Sequence, residues 1–259
     1  MKINKDIEKY WKNRVLFSWG PYEEMRDLKY GINNYMFDKY PFKDSAGKKV
    51  LEIGCGGGLD SIEYAKSGAQ VWATDFTDEA VEFTTDRVNK LNMGSTVVAS
   101  NGRIRVDKVD VRNIQYEDNF FDVVHASGVL HHIIEVEDAL SEIYRVLKPG
   151  GTICAMFYNK NSLLYHYSII YLQGVVEGEF DSGLTEEDLF SKYSEYEVGC
   201  PYAKAYTEEE VIELCESSGF REVETEINAP HIDTPKQRKV EILNLPKHLG
   251  FHITVMAIK

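Results

Sequence analysis

Val50-Leu51-Glu52-Ile53-Gly54-Cys55-Gly56-Gly57-Gly58-Leu59-Asp60 decides the fold of this chain. An apolar run of strand length stops at a glycine cluster, and a helical pattern begins at about Asp60 and continues to Ser67. Glycines between a strand and a helix let the backbone turn tightly and approach a ligand closely. Dinucleotide dehydrogenases also use such a turn, but their fingerprint wants glycine or alanine where this chain has Leu59. A nicotinamide-dependent oxidoreductase is therefore disfavoured.

Downstream of the loop the period changes repeatedly. Gln70–Thr74 reads as a strand, and Thr77 is the expected N-cap of a helix from Asp78 to about Leu91. Asp78 and Glu79 put negative charge in its first turn, where the helix dipole favours it. Strands follow at Arg103–Val109 and Phe121–Ala126. A helix over Val136–Leu147 is stopped by Pro149-Gly150-Gly151, and Thr152–Tyr158 is a fifth strand. Strands and helices alternating in this way imply right-handed crossovers and a parallel sheet covered on both faces.

This α/β core is expected over residues 46–259. Residues 1–45 read as helices, with Ile7, Tyr10, Trp11 and Val15 at helical spacing and a second stretch from Tyr22 to Tyr40. The alternation breaks between Asn159 and Lys204, where only Ser162–Gln173 reads as a helix. It resumes with a helix over Thr207–Ser218 and strands at Glu222–Ile227 and Phe251–Ile258. An insertion after the fifth strand sits at the carboxyl edge of the sheet, where ligands bind in such folds.

Composition limits the partners. With 43% apolar and 27% charged residues, the 259-residue chain is globular rather than disordered. No run approaches ~18 apolar residues, and Met1–Asp6 lacks the apolar core of a secretory signal, so a cytoplasmic protein with no membrane span is expected. The four cysteines lie far apart without a Cys-x-x-Cys pair, which argues against a zinc knuckle or disulfide scaffold; no metal is expected. The net charge is -13, and Glu177–Glu224 holds fifteen acids against three bases. That segment repels phosphates, which argues against a nucleic-acid partner. Its acids read as a solvated helical face.

Taken in order, Glu-x-Gly-x-Gly-x-Gly (Glu52 to Gly58), Asp75, Asp110, Phe121-Asp122-Val123-Val124 and Leu147-Lys148-Pro149-Gly150-Gly151 resemble the class I S-adenosylmethionine-dependent methyltransferases over residues 48–158. The resemblance implies a Rossmann-like seven-stranded sheet ordered 3-2-1-4-5-7-6 with the last strand antiparallel. S-adenosyl-L-methionine would be the cofactor and S-adenosyl-L-homocysteine the product. Gly54, Cys55 and Gly56 would pass under the methionine part, with Glu52 anchoring the loop or meeting an ammonium group. Asp75 would bind the ribose hydroxyls, Phe76 or Thr77 would flank the adenine, and Asp110-Val111 would meet its amino group. Ala126 and Ser127 would line the sulfonium.

Methyl transfer from a sulfonium needs alignment above all, and a base only if the acceptor loses a proton. His131, in Leu130-His131-His132, follows the fourth strand and is the expected catalytic residue, histidine having the side-chain pKa nearest neutrality. A helical segment cannot turn both His131 and His132 to the cleft. Tyr22, His132, Tyr158, Asn161, Tyr202 and His231 are the expected acceptor contacts, and Cys200 is read as packing. The sixteen tyrosines, many in 1–45 and 159–204, suit a pocket that is apolar with polar tips. The expected activity is methyl transfer to a small-molecule acceptor, the helical N-terminal segment and the insertion enclosing it. An RNA or protein methyltransferase and a non-catalytic adenosine-binding module are the rivals, and a monomer and a homodimer are both open.

Overall fold

The computed structural model describes residues 2–12, 14, 15, 18, 20–93, 103–195, 198–229, 231–234, 237–241 and 246–259, with the backbone alone at 2–4 and 231–241. Three helices precede the first strand: α1 (Lys2–Lys12), α2 (Tyr22–Ile32) and α3 (Met36–Lys39). The helical stretch expected from Tyr22 to Tyr40 thus breaks at Asn33, a poor helix former, whose backbone N–H closes α2 on Lys29 O.

Strands and helices then alternate as β1 (Lys49–Ile53), α4 (Leu59–Lys66), β2 (Gln70–Asp75), α5 (Asp78–Lys90), β3 (Ile104–Lys108), β4 (Phe121–Ser127), α6 (Val136–Val146) and β5 (Leu147–Asn159). The insertion contributes a π-helical stretch, Leu164–Val176, and α7 (Glu186–Tyr193). After it come β6 (Ala205–Tyr206), α8 (Glu208–Ser217), β7 (Arg221–Asn228), a hairpin of β8 (His231–Thr234) and β9 (Gln237–Glu241), and β10 (His252–Ile258).

The main sheet runs β3-β2-β1-β4-β5-β10-β7, parallel through β5, with β10 antiparallel to both neighbours. This is the expected order, the sixth and seventh expected strands being β7 and β10. Two additions are β6, which pairs with the last two residues of β5, and the separate β8–β9 hairpin. β5 is longer than expected because Leu147-Lys148-Pro149-Gly150-Gly151 already runs as strand. α7 went unread in the sequence, although Thr185 caps it reciprocally with Asp188. Among the described residues no helix is long and apolar enough to cross a membrane.

The core lies on both faces of the central strands. On one face Leu51, Val124, Ile153 and Val255 pack against α6 and α8 through Leu140, Ile143 and Val211. On the other Val50, Val71 and Val123 pack against α4, α3 and the segment after α3 through Ile62, Tyr64, Met36 and Phe42. Successive strand residues alternate between these faces, which explains the near-continuous apolar runs of a sheet buried on both sides. Asp122 ties the starts of three strands together: it accepts from Lys49 N at 2.8 Å and from Lys148 Nζ at 2.6 Å. The Phe-Asp and Leu-Lys-Pro-Gly-Gly motifs therefore brace the amino edge of the sheet, away from the carboxyl edge where the glycine loop lies.

Candidate functional site

A cavity of about 520 Å³ opens along that carboxyl edge, from the loops after β1, β2 and β3 to the rim of β4 and β5 under α1. The glycine loop forms its floor. Gly54 has φ +67°, and a Cβ there would lie 2.4 Å from Val129 Cγ2, so only glycine fits. The loop is held from outside by α5. Thr84 Oγ1 donates to Gly56 O at 2.6 Å, and Arg87 donates to Gly57 O at 2.5 Å and to Gly20 O at 3.0 Å. Arg87, buried on α5, was not singled out by the sequence, since nothing local distinguishes it from a solvated helix residue.

Asp75 ends β2 beneath this loop. Its Oδ1 accepts from Thr77 N at 3.0 Å and Thr77 Oγ1 at 2.8 Å, and its Oδ2 accepts from Gly56 N at 3.1 Å. Burial pushes its pKa up, against the pull of those donors. A carboxylate has about four lone-pair positions. These donors, with the Phe76 N–H close by, take up most of them, so a ligand hydroxyl competes with a donor already in place, the Thr77 hydroxyl being the most readily displaced. Phe76 and Val111 line the cavity beside it. Asp110 also lines it, its carboxylate gripped by Arg112, whose Nη2 lies 2.7 Å away. Burial would raise the Asp110 pKa, but Arg112 holds it below the usual range.

At the other side of the loop stands a buried polar cluster. Glu52 accepts from the Ser61 hydroxyl. Asp60 Oδ1 takes Lys29 Nζ and the Tyr30 hydroxyl, each at 2.6 Å, and Oδ2 lies 2.9 Å from His125 Nε2. Burial, and secondarily the charge of Asp60, hold the Glu52 pKa above the ordinary carboxylate range. Glu52, Asp60 and Lys29 all line the cavity. An ammonium group beside Glu52 favours its ionised form, so binding of a cofactor that places one there is expected to release a proton near neutral pH. Calorimetry in buffers of different ionisation enthalpy checks this. The apparent enthalpy should vary with buffer in the wild type and less in Glu52→Gln; identical buffer dependence in both would separate Glu52 from the ammonium.

Beyond β4 and β5 the lining turns aromatic: Trp11, Tyr35, His132, Tyr158 and His252. Tyr158 stacks on Phe251 with ring centroids 4.3 Å apart, and its hydroxyl donates to Glu195 Oε1 at 2.6 Å. The same Oε1 lies 3.2 Å from His132 Nε2. Trp11 meets the His132 ring edge-on at 4.9 Å. Burial works against the His132 imidazolium, but the Cys200 thiol and the Glu195 carboxylate outweigh it and bring its pKa up to about 10. Glu195 is correspondingly held low despite its own burial.

Twelve residues expected at the site line this one cavity: Glu52, Gly54, Cys55, Gly56, Asp75, Phe76, Thr77, Asp110, Val111, Ser127, His132 and Tyr158. Others do not. Ala126 is fully buried in the core; its neighbour Ser127 takes the opposite side of the strand and lines the cavity. His131, the expected catalytic residue, is fully enclosed against Tyr158 at 3.7 Å between centroids, and burial drives its pKa well down. His132 faces the cavity instead. Tyr22 is buried against α4, its hydroxyl on Glu63. Asn161 is exposed beyond β5. Tyr202 offers its backbone, the carbonyl accepting from His132 Nδ1 at 3.0 Å, rather than its ring. The side chain of His231 lies outside the described residues.

Sequence reading missed Glu195 and Trp11 as cavity residues. Glu195 was counted with the solvated acids; its flanking tyrosines, Tyr193 and Tyr196, were the available signal that this part of the run is not a solvated face.

Residues 51–155 match the Methyltransferase domain family. Among curated proteins the chain is 33% identical over 108 residues to the demethylmenaquinone methyltransferase of Clavibacter sepedonicus, covering 42% of this chain and 40% of that one. It is 29% identical over 170 residues to the ubiquinone biosynthesis O-methyltransferase of Nitrosospira multiformis, covering 65% of this chain and 64% of that one. Among solved structures, the Haemonchus contortus phosphoethanolamine N-methyltransferase 2 in complex with S-adenosyl-L-methionine superposes with a TM-score of 0.60 at 20% identity, over 86% of this chain and 46% of that one. The last likeness is one of fold. With the glycine loop, Asp75 and the strand order in place, residues 51–155 form a methyltransferase domain of the class I S-adenosylmethionine-dependent type.

Proposed function

We propose that the protein transfers a methyl group from S-adenosyl-L-methionine to a small-molecule acceptor. The observation that carries this reading is the continuity of one cavity from the Asp75 and Asp110 end, past the glycine loop, to Trp11, His132, Tyr158 and Glu195. A cofactor lying with its adenosine against Asp75 and its methionine part over the loop directs its methyl group toward that aromatic end. There the acceptor's atom must stand in line with the sulfur–methyl bond. The curated relatives named above are methyltransferases of demethylmenaquinone and of ubiquinone biosynthesis, which suits an acceptor with an apolar or aromatic body. His132, rather than His131, is the residue of this reading that orients the acceptor. Helix α1 supplies Ile7, Glu8 and Trp11 to the cavity wall, and Glu195 comes from the insertion; both segments enclose the acceptor end and exclude water.

Thermal shift with S-adenosyl-L-homocysteine and with NAD tests the cofactor assignment. A ligand at ~100 times its dissociation constant raises stability by about 2.7 kcal/mol. The homocysteine product is expected to stabilise the chain and NAD is not; the reverse outcome removes the methyltransferase reading. Labelled methyl transfer from S-adenosyl-L-methionine to a panel of quinol and catechol acceptors then tests the acceptor class.

A further inference from the structure

His131 and His132 are neighbours in sequence, yet each ring spends the same nitrogen on the backbone. His131 Nδ1 lies 3.3 Å from Met156 O and His132 Nδ1 lies 3.0 Å from Tyr202 O. A carbonyl oxygen only accepts, so in both rings Nδ1 carries the hydrogen and donates it. That leaves Nε2 as the nitrogen free for a ligand. Both Nε2 atoms are buried; that of His131 makes no hydrogen bond among the described residues, and that of His132 has the Glu195 Oε1 beside it at 3.2 Å without good hydrogen-bond geometry. The residues are fully buried and 93% buried (0% and 7% exposed). An orphaned buried nitrogen such as His131 Nε2 is costly and rare. One nitrogen of each ring and a carboxylate oxygen of Glu195 all lie within 4.8 Å of one another.

We propose that His131, His132 and Glu195 form a binding site for a divalent first-row transition ion such as zinc. Two imidazoles and one carboxylate are a donor set such ions take, and ligating histidines characteristically donate their other ring N–H to a carbonyl or carboxylate. Both carbonyls are already in place here. The 3.2 Å between His132 Nε2 and Glu195 Oε1 fits a shared ion: with each bond at about 2.1 Å the angle at the ion is about 100°. The Tyr158 hydroxyl donates to that same Oε1 and orients the carboxylate. The ion displaces any proton on the imidazoles. His132 and Glu195 line the cavity while His131 lies behind them, so the ion's remaining position faces the acceptor end. If the proposed methyl transfer holds, an ion there polarises an acceptor hydroxyl; the binding itself does not depend on that reading.

The test is a titration of the chelator-treated full chain with cobalt(II), whose visible absorption reports its coordination. Stoichiometric binding is expected, with an absorption band that zinc abolishes by displacement. Glu195→Gln, which keeps the shape of a partly exposed side chain, and His132→Gln should each weaken cobalt affinity by about tenfold or more. Retained binding of S-adenosyl-L-homocysteine shows that each variant is folded. Failure of the wild-type chain to bind cobalt overturns the proposal, whether or not the homocysteine product binds. So does cobalt binding that neither substitution weakens, which would place the ion elsewhere.

Discussion

Asp75→Asn is expected to lower the affinity for S-adenosyl-L-homocysteine by about 10- to 150-fold, the worth of one charge-assisted hydrogen bond at roughly 1.5–3 kcal/mol. The lone-pair count sets this size. Thr77 N, Thr77 Oγ1 and Gly56 N already occupy three positions on the carboxylate, so a ribose gains one strong hydrogen bond there at most. In Asn the oxygen can keep both Thr77 donors, but its amide nitrogen faces Gly56 N and the charge is gone. Asp75→Ala is a harsher variant than its position at a strand end suggests. Asp75 is only 8% exposed, and its loss leaves three buried donors unpaired at about 1–3 kcal/mol each. A lower melting temperature should therefore accompany its weaker binding. Calorimetry showing wild-type affinity in Asp75→Asn would take this carboxylate out of the cofactor site.

His132→Ala is expected to lower turnover by roughly 10²-fold while leaving S-adenosyl-L-homocysteine binding unchanged, as suits a group that positions only the acceptor. The contrast with its neighbour makes this informative. His131 touches no cavity surface, so His131→Ala first removes a ring packed 3.7 Å from Tyr158 between centroids and leaves a void that costs stability. Steady-state kinetics on both variants, with melting curves beside them, separate the cases. If His132→Ala keeps its rate while a folded His131→Ala loses it, the catalytic assignment returns to His131.

The cofactor half of the site was legible in the chain because its parts are local. Gly54, Gly56 and Glu52 belong to one strand–loop–helix unit. Asp75 ends the next strand in a register paired to the first, with Ile53 opposite Thr74. A parallel sheet with crossover helices brings successive strand ends to one edge, so spacing along the sequence translates into proximity. The strand order and the antiparallel last strand came from the family resemblance that these local motifs carry.

The acceptor half was decided by tertiary structure. Which side a strand residue takes depends on a register of one, and of the two residues expected there it kept Ser127 at the cavity and put Ala126 in the core. The one-turn helix at Leu130–His132 turns His132 to the cavity and His131 behind it, a choice made by the carbonyls of Met156 and Tyr202 rather than by the histidines' own sequence. Glu195 stands 63 residues beyond His132 in a run of acids, where only its flanking tyrosines set it apart. Only packing of the insertion against β5 takes this one carboxylate out of water and sets it between Tyr158 and His132. Local patterns thus determined the sheet and the cofactor edge, while long-range burial selected the side chains at the acceptor end, because desolvation belongs to the folded chain and not to any short segment of it.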